Sequence, residues 1–139
     1  SANVVHNPNL WIFGVLNSKM HMLWVRTVAG RLRSDIRYTS ALCYNTFPFP
    51  RLTEKQKDLI TELTKEILLT RAGHSEMTLG DMYNPENFPE DLRKDHQALD
   101  LAVERCYREK PFESDEERLE FLFKQYIKLT TDKSTLWKI

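Results

Sequence analysis

A mainly α-helical bundle of about four to five helices, with one short extended segment near residues 41–47, is the fold this sequence predicts. Three observations carry that expectation. Apolar residues recur at three- and four-residue spacing through most of the chain. Ser/Thr-x-x-Gln/Glu boxes stand where two such runs begin. Only four glycines, at 14, 30, 73 and 80, interrupt the 139 residues.

Asn9 is placed to cap an apolar helix from Leu10 to about Leu16, and Ser18 a second from Lys19 to about Ala29, which Gly30 ends. Gly14 and the Asn17-Ser18 step predict a break or bend between them. Apolar groups such as Trp11, Phe13, Leu16, Leu23, Trp24 and Val28 surround much of this stretch, so these helices need cover from other protein. Residues 30–52 read as loop and extended chain. Ala41 to Phe47 suits one short strand, and Pro48 and Pro50 exclude a helix there.

Thr53 with Gln56 makes a capping box that opens a helix to about Arg71, before Gly73, with Leu59, Ile60, Leu63 and Ile67 on one face. Residues 78–84 leave room for one short turn. Pro89 suits the first turn of a long helix reaching about Arg108. Its inner face is Leu92, His96, Leu99, Val103 and Cys106, spaced alternately by four and three. Ser114 and Glu117 form a second capping box, and Leu119, Leu122, Phe123, Tyr126 and Ile127 line the last helix.

An apolar fraction of 41% beside 29% charged residues is that of a globular protein, either one domain or two small pieces sharing a core. No run approaches the roughly 18 apolar residues of a membrane span. No secretory signal pattern opens the chain. Cys43 and Cys106 make no disulfide framework, so a reduced, cytoplasmic setting is expected. The net charge of zero conceals a division. Residues 1–50 carry five basic groups (Lys19, Arg26, Arg31, Arg33, Arg37) against Asp35 alone, whereas residues 51–139 carry 15 basic and 19 acidic groups. Such a split points to different partners for the two parts.

Catalytic chemistry finds no foothold. Four scattered glycines assemble no phosphate or dinucleotide loop. The Asn7-Pro8 and Asn84-Pro85 steps lack the second proline and aromatic of an amino-methyltransferase signature and read as turns. No Asp/Glu-x-Lys step, the short half of a common nuclease signature, occurs. His6, His21, His74 and His96 show no metal-ligand spacing. His96, with Asp95 beside it and Asp100 one turn on, reads as an interface histidine rather than a general base. No catalytic, cofactor-binding or metal-ligating residue is therefore assigned. The basic stretch remains. Arg31, Arg33 and Arg37 flank Ser34, Asp35 and Tyr38, and guanidinium forks with hydroxyls are donors that suit phosphate oxygens. A solvated loop with Asp35 paired to an arginine is the alternative.

Several segments together resemble the C-terminal end of MmeI-like DNA methyltransferases, which are large single-chain restriction-modification proteins. They are Leu16-Asn17-Ser18, the Gly-Arg-Leu-x-Ser-Asp-x-Arg-Tyr run from Gly30 to Tyr38, Tyr44-Asn45-Thr46-Phe47-Pro48, and Leu92-Arg93-Lys94 through Leu99-Asp100. The resemblance implies that residues 1–50 close a DNA target-recognition domain and that residues 51–139 form a C-terminal helical domain. It places the nuclease, the S-adenosylmethionine site and the adenine-N6 methyltransferase machinery upstream of this chain.

The implied role is non-catalytic: a DNA-recognition and scaffolding segment that meets the backbone of double-stranded DNA and the upstream domains of the same chain. Arg31, Arg33 and Arg37 are the expected phosphate contacts, Ser34 and Tyr38 auxiliary donors, and Lys19 and Arg26 an extension of the same positive surface. A purely structural helical module, packed on the methyltransferase domain without touching DNA, is the alternative role.

Overall fold

The computed structural model describes residues 7–31 and 36–137, with side chains for 7–31 and 39–131. Seven helices and no strand occur among the described residues. They are α1 (Leu10–Leu16), α2 (Lys19–Arg31), α3 (Ile36–Thr46), α4 (Glu54–Gly73), α5 (Leu79–Met82), α6 (Glu90–Tyr107) and α7 (Asp115–Trp137). The mainly helical expectation is met, but the helix number and the extended segment need correction.

Residues 41–46 belong to α3 rather than to a strand. Leu42, Cys43, Thr46 and Phe47 recur at helical spacing, with Cys43 and Phe47 buried. The indole Nε1 of Trp24 on α2 donates to Thr46 Oγ1 at 3.1 Å, and the Thr46 hydroxyl donates to the Leu42 carbonyl at 2.6 Å. This packing outweighs a weak local strand preference. The prolines still act as stops, because Phe47 precedes Pro48 and is pushed out of helical geometry. Gly30 does not end α2, which runs on to Arg31.

The longest interface lies between α4 and α6. α1 crosses α4, while α2 rests on α3, α6 and α7. Ile60, Thr64 and Ile67 are the buried residues of α4, and Leu59 faces outward at 51% exposure. From α6 come Leu92, Leu99, Ala102 and Val103, and from α7 Leu122. Val15, Met20, Trp24 and Phe47 enter the same cluster, so one core is continuous across residue 51. Complete burial of a leucine such as Leu99 contributes about 1.5–3 kcal/mol.

The expected break between α1 and α2 falls at Asn17-Ser18, whereas Gly14 sits inside α1. A Cβ there would stand 2.3 Å from Thr64 Oγ1 and 2.8 Å from Ile60 Cγ2, so only glycine lets α1 approach α4 this closely.

The Thr53–Gln56 capping box forms in both directions, at 2.9 and 3.1 Å. A further box, Thr78 with Asp81, caps α5 and gives the short turn its shape. The second predicted box forms only by half. Ser114 Oγ accepts from Glu117 N–H at 3.1 Å, but the Glu117 carboxylate turns to the Arg108 guanidinium and the Glu113 N–H. A charge-assisted bond outcompetes the neutral backbone donor of the box. No helix among the described residues is long and apolar enough to cross a membrane.

Candidate nucleic-acid interface

The sequence-predicted cations do not share one surface. Lys19 opens α2, and its Nζ lies 3.6 Å from Asp115 Oδ1 on α7. Arg26 is exposed two turns on and borders the same groove as Lys19. Arg31, five residues later, is rotated by about 140° around the helix axis. It borders a different, apolar hollow with Trp24, Val28, Leu42, Phe123 and Tyr126. Arg33 and Ser34 lie outside the described residues. Arg37 and Tyr38 fall in the first turn of α3, and their side chains lie outside the described ones. The structure thus brings Lys19 and Arg26 together and separates both from Arg31.

The groove beside Arg26 has a volume of about 600 Å³. Met22, Leu23 and Phe88 supply apolar wall, and Arg71, Tyr83, His96, Asp100 and Asp115 supply polar groups. Arg71 closes the buried register of α4, eleven residues beyond Ile60. Its Nε and Nη2 donate to Tyr83 Oη at 2.8 and 2.6 Å. Tyr83 Oη lies 2.6 Å from His96 Nε2 and donates to it. Phe88 meets both rings edge-on, with centroids 5.4 Å from Tyr83 and 6.1 Å from His96. Burial, with the Arg71 charge in support, holds the His96 pKa below its usual value. With two Arg71 donors already on the phenol oxygen, its own hydrogen is the one left for His96 Nε2, an arrangement that puts the ring proton on Nδ1. Burial raises the Tyr83 pKa, keeping the phenol protonated.

Asp100 ties α2 to α6. Its Oδ1 accepts the Lys19 backbone N–H at 2.9 Å, so a carboxylate from another helix caps the start of α2 and meets its positive end. Burial raises its pKa to about 6, aided by nearby Glu104, while the Lys19 N–H and the Lys19 and Arg118 charges pull it back. Glu104 is itself buried and pairs with Arg118, Oε2 to Nε at 3.1 Å.

Arg71, Tyr83 and the capping role of Asp100 were not assigned from the sequence. An arginine in register with Ile60, Thr64 and Ile67 was the available signal for the first. His96 is half-buried and hydrogen-bonded at a helix interface, as its position on the apolar face predicts. No group of three His, Cys, Asp or Glu side chains converges on a metal position among the described residues.

Residues 52–133 match the family model for the MmeI C-terminal domain, and residues 1–51 that for the MmeI target recognition domain. The chain is 49% identical over 127 residues to DNA methyltransferase A of Bacillus subtilis (strain 168), which covers 91% of this chain and 14% of that protein. A solved structure of the Type IIL restriction-modification enzyme MmeI in complex with DNA superposes with a TM-score of 0.79 at 42% identity. That match covers 87% of this chain and 16% of the other. The chain thus spans only a small part of each relative's length.

Proposed function

The chain belongs to the MmeI C-terminal domain family, and we propose that it is a non-catalytic DNA-recognition and scaffolding segment of a site-specific adenine-N6 DNA methyltransferase of the restriction-modification type. In this reading S-adenosylmethionine and the reacting adenine are held by an upstream methyltransferase domain, and the whole protein works in the cytoplasm. Residues 1–50 close the target-recognition domain and residues 51–139 form the C-terminal helical domain. The meeting of the two family matches at residues 51 and 52 supports that division.

The observation that carries the reading is the likeness to MmeI, solved on DNA, joined to the charge split. Five of the six charged groups in residues 1–50 are basic. Arg26 and Arg31 have no carboxylate partner among the described residues and are exposed. Arg31, Arg33 and Arg37 are assigned to phosphate, with Ser34 and Tyr38 as auxiliary donors, and Arg26 extends the positive surface from another side. Lys19, already paired with Asp115, contributes less. Phosphate contacts of this kind position the protein and carry no base information.

Replacement of Arg31, Arg33 and Arg37 together by Ala tests the assignment. Affinity for cognate and non-cognate duplex is expected to fall by the same factor. The log–log salt slope should flatten by about 0.9 for each phosphate that is no longer neutralised. Unchanged affinity with an unchanged slope would sink the phosphate assignment. It would favour the purely structural reading, which draws support from the core continuous across residue 51 and from the acidic excess of residues 51–139.

A further inference from the structure

We infer that the groove between α2 and the α4–α6 pair is a second contact for the DNA backbone, in which Arg26 and Arg71 together hold one phosphodiester. The inference rests on the DNA-binding reading above and adds a contact from the C-terminal domain itself.

Charge accounting within the groove supports it. The groove is lined by two carboxylates and three cations. Asp115 is engaged by Lys19 at 3.6 Å and by Arg118 at 3.0 Å, and Asp100 by the Lys19 N–H. Arg26 and Arg71 are left without a carboxylate among the described residues, although they come from different helices and border one cavity. A half-buried guanidinium bonded only to a phenol keeps its full positive charge. An anion is the complement that satisfies it.

The groove is also prepared for that anion. Tyr83 grips one edge of the Arg71 guanidinium through Nε and Nη2, and His96 in turn fixes the phenol. Nη1 has no partner among the described residues and remains for a ligand. Holding the fork in place before binding lowers the ordering entropy that a free arginine loses. Arg26 lines the same groove beside Met22 and Leu23, and these apolar groups with Phe88 suit the sugar beside a phosphate rather than a second charge. A tetrahedral phosphate accepts from two forks approaching from separate directions.

Titration of a fluorescent duplex with the chain at low salt, followed by anisotropy, tests the site. Arg26→Gln with Arg71→Gln is expected to weaken binding about tenfold and to reduce the salt slope by about 1. Lys65→Gln with Lys124→Gln removes the same charge from outside the groove and is expected to change affinity less than about twofold. Arg71→Lys keeps the charge, loses the fork, and should fall between.

Equal losses from both double variants would assign the effect to general electrostatics and overturn the site. So would a lowered melting temperature with unchanged DNA affinity, which would make the two arginines structural. In the unaltered chain, inorganic phosphate should move the ring nitrogen resonances of His96 and leave those of His74 in place. Absence of that shift also overturns the site. Loss of binding in the Arg31/Arg33/Arg37 variant alone would defeat the groove and leave the general reading standing. A wild-type chain that fails to bind duplex at low salt would defeat both.

Discussion

Where α1 crosses α4, Gly14 lies against Thr64 and Ile60 with no room for a methyl group; near the end of α2, no atom of the described residues lies within 4 Å of the missing Cβ of Gly30. The same residue type thus marks two regimes. At the crossing, close-packed atoms from α1, α4 and α6 fix the spacing. Between α2 and α3, the described packing runs along Trp24, Cys43, Thr46 and Phe47, away from Gly30. The crossing holds the fold, and the chain from the end of α2 into α3 carries the basic stretch.

Gly14→Ala breaks this contrast most directly. An extra carbon at the crossing should destabilise the chain by about 3 kcal/mol, as overpacking of a rigid site does, measured by urea unfolding. A loss below about 1 kcal/mol would show that α1 slides on α4 and that the crossing is no tighter than the surroundings of Gly30.

Asp100 sharpens the boundary between the two regions. Its folded pKa, about 6, lies above its ordinary value of 3.8. The stabilisation it contributes is therefore fully present below pH 4 and is lost as pH rises through 6. Asp100→Asn keeps an oxygen for the Lys19 N–H and removes the titration. Wild type minus variant should fall by on the order of 1–3 kcal/mol between pH 4 and 7. His21 and His96, both depressed by burial, act in the opposite direction and cancel in the difference. A pH-independent difference would mean that the carboxylate is not buried at the helix start.

Gly30→Ala carries the smallest expected effect and the opposite sign to Gly14→Ala. A helical glycine with no described atom near its Cβ position should gain about 0.5 kcal/mol when replaced by Ala, read as a small rise in melting temperature. A loss instead would mean that Gly30 is crowded.

What the sequence disclosed follows the range of the interactions involved. The Thr53–Gln56 cap and the faces of α4 and α6 are local, and they were legible. The helix at 36–46 was not, because the partner that favours it, the Trp24 N–H, stands 22 residues from Thr46. Half of the Ser114–Glu117 box was missed for the same reason, since Arg108 on a neighbouring segment draws the Glu117 carboxylate away from the Ser114 N–H while the Glu117 N–H stays on Ser114 Oγ. The cations of the candidate interface were readable as residues, but their sides of α2 were not. Their separation appears only once Gly30 is seen to lie within the helix. Arg71 was visible as an arginine in a core register, and only the fold shows that it borders the same groove as Arg26.

The bond from Lys19 N–H to Asp100 also bears on what a hybrid of two related chains would have to match. A recombination joint between residues 51 and 52 would keep the peptide continuous, yet it would pair one lineage's Gly14 and Lys19 with another's Thr64 and Asp100. A substituted segment 1–51 would fit only if it brought a glycine opposite Thr64 and a backbone N–H opposite Asp100. The exchangeable unit would then be that segment together with a few matching positions on the recipient's α4 and α6.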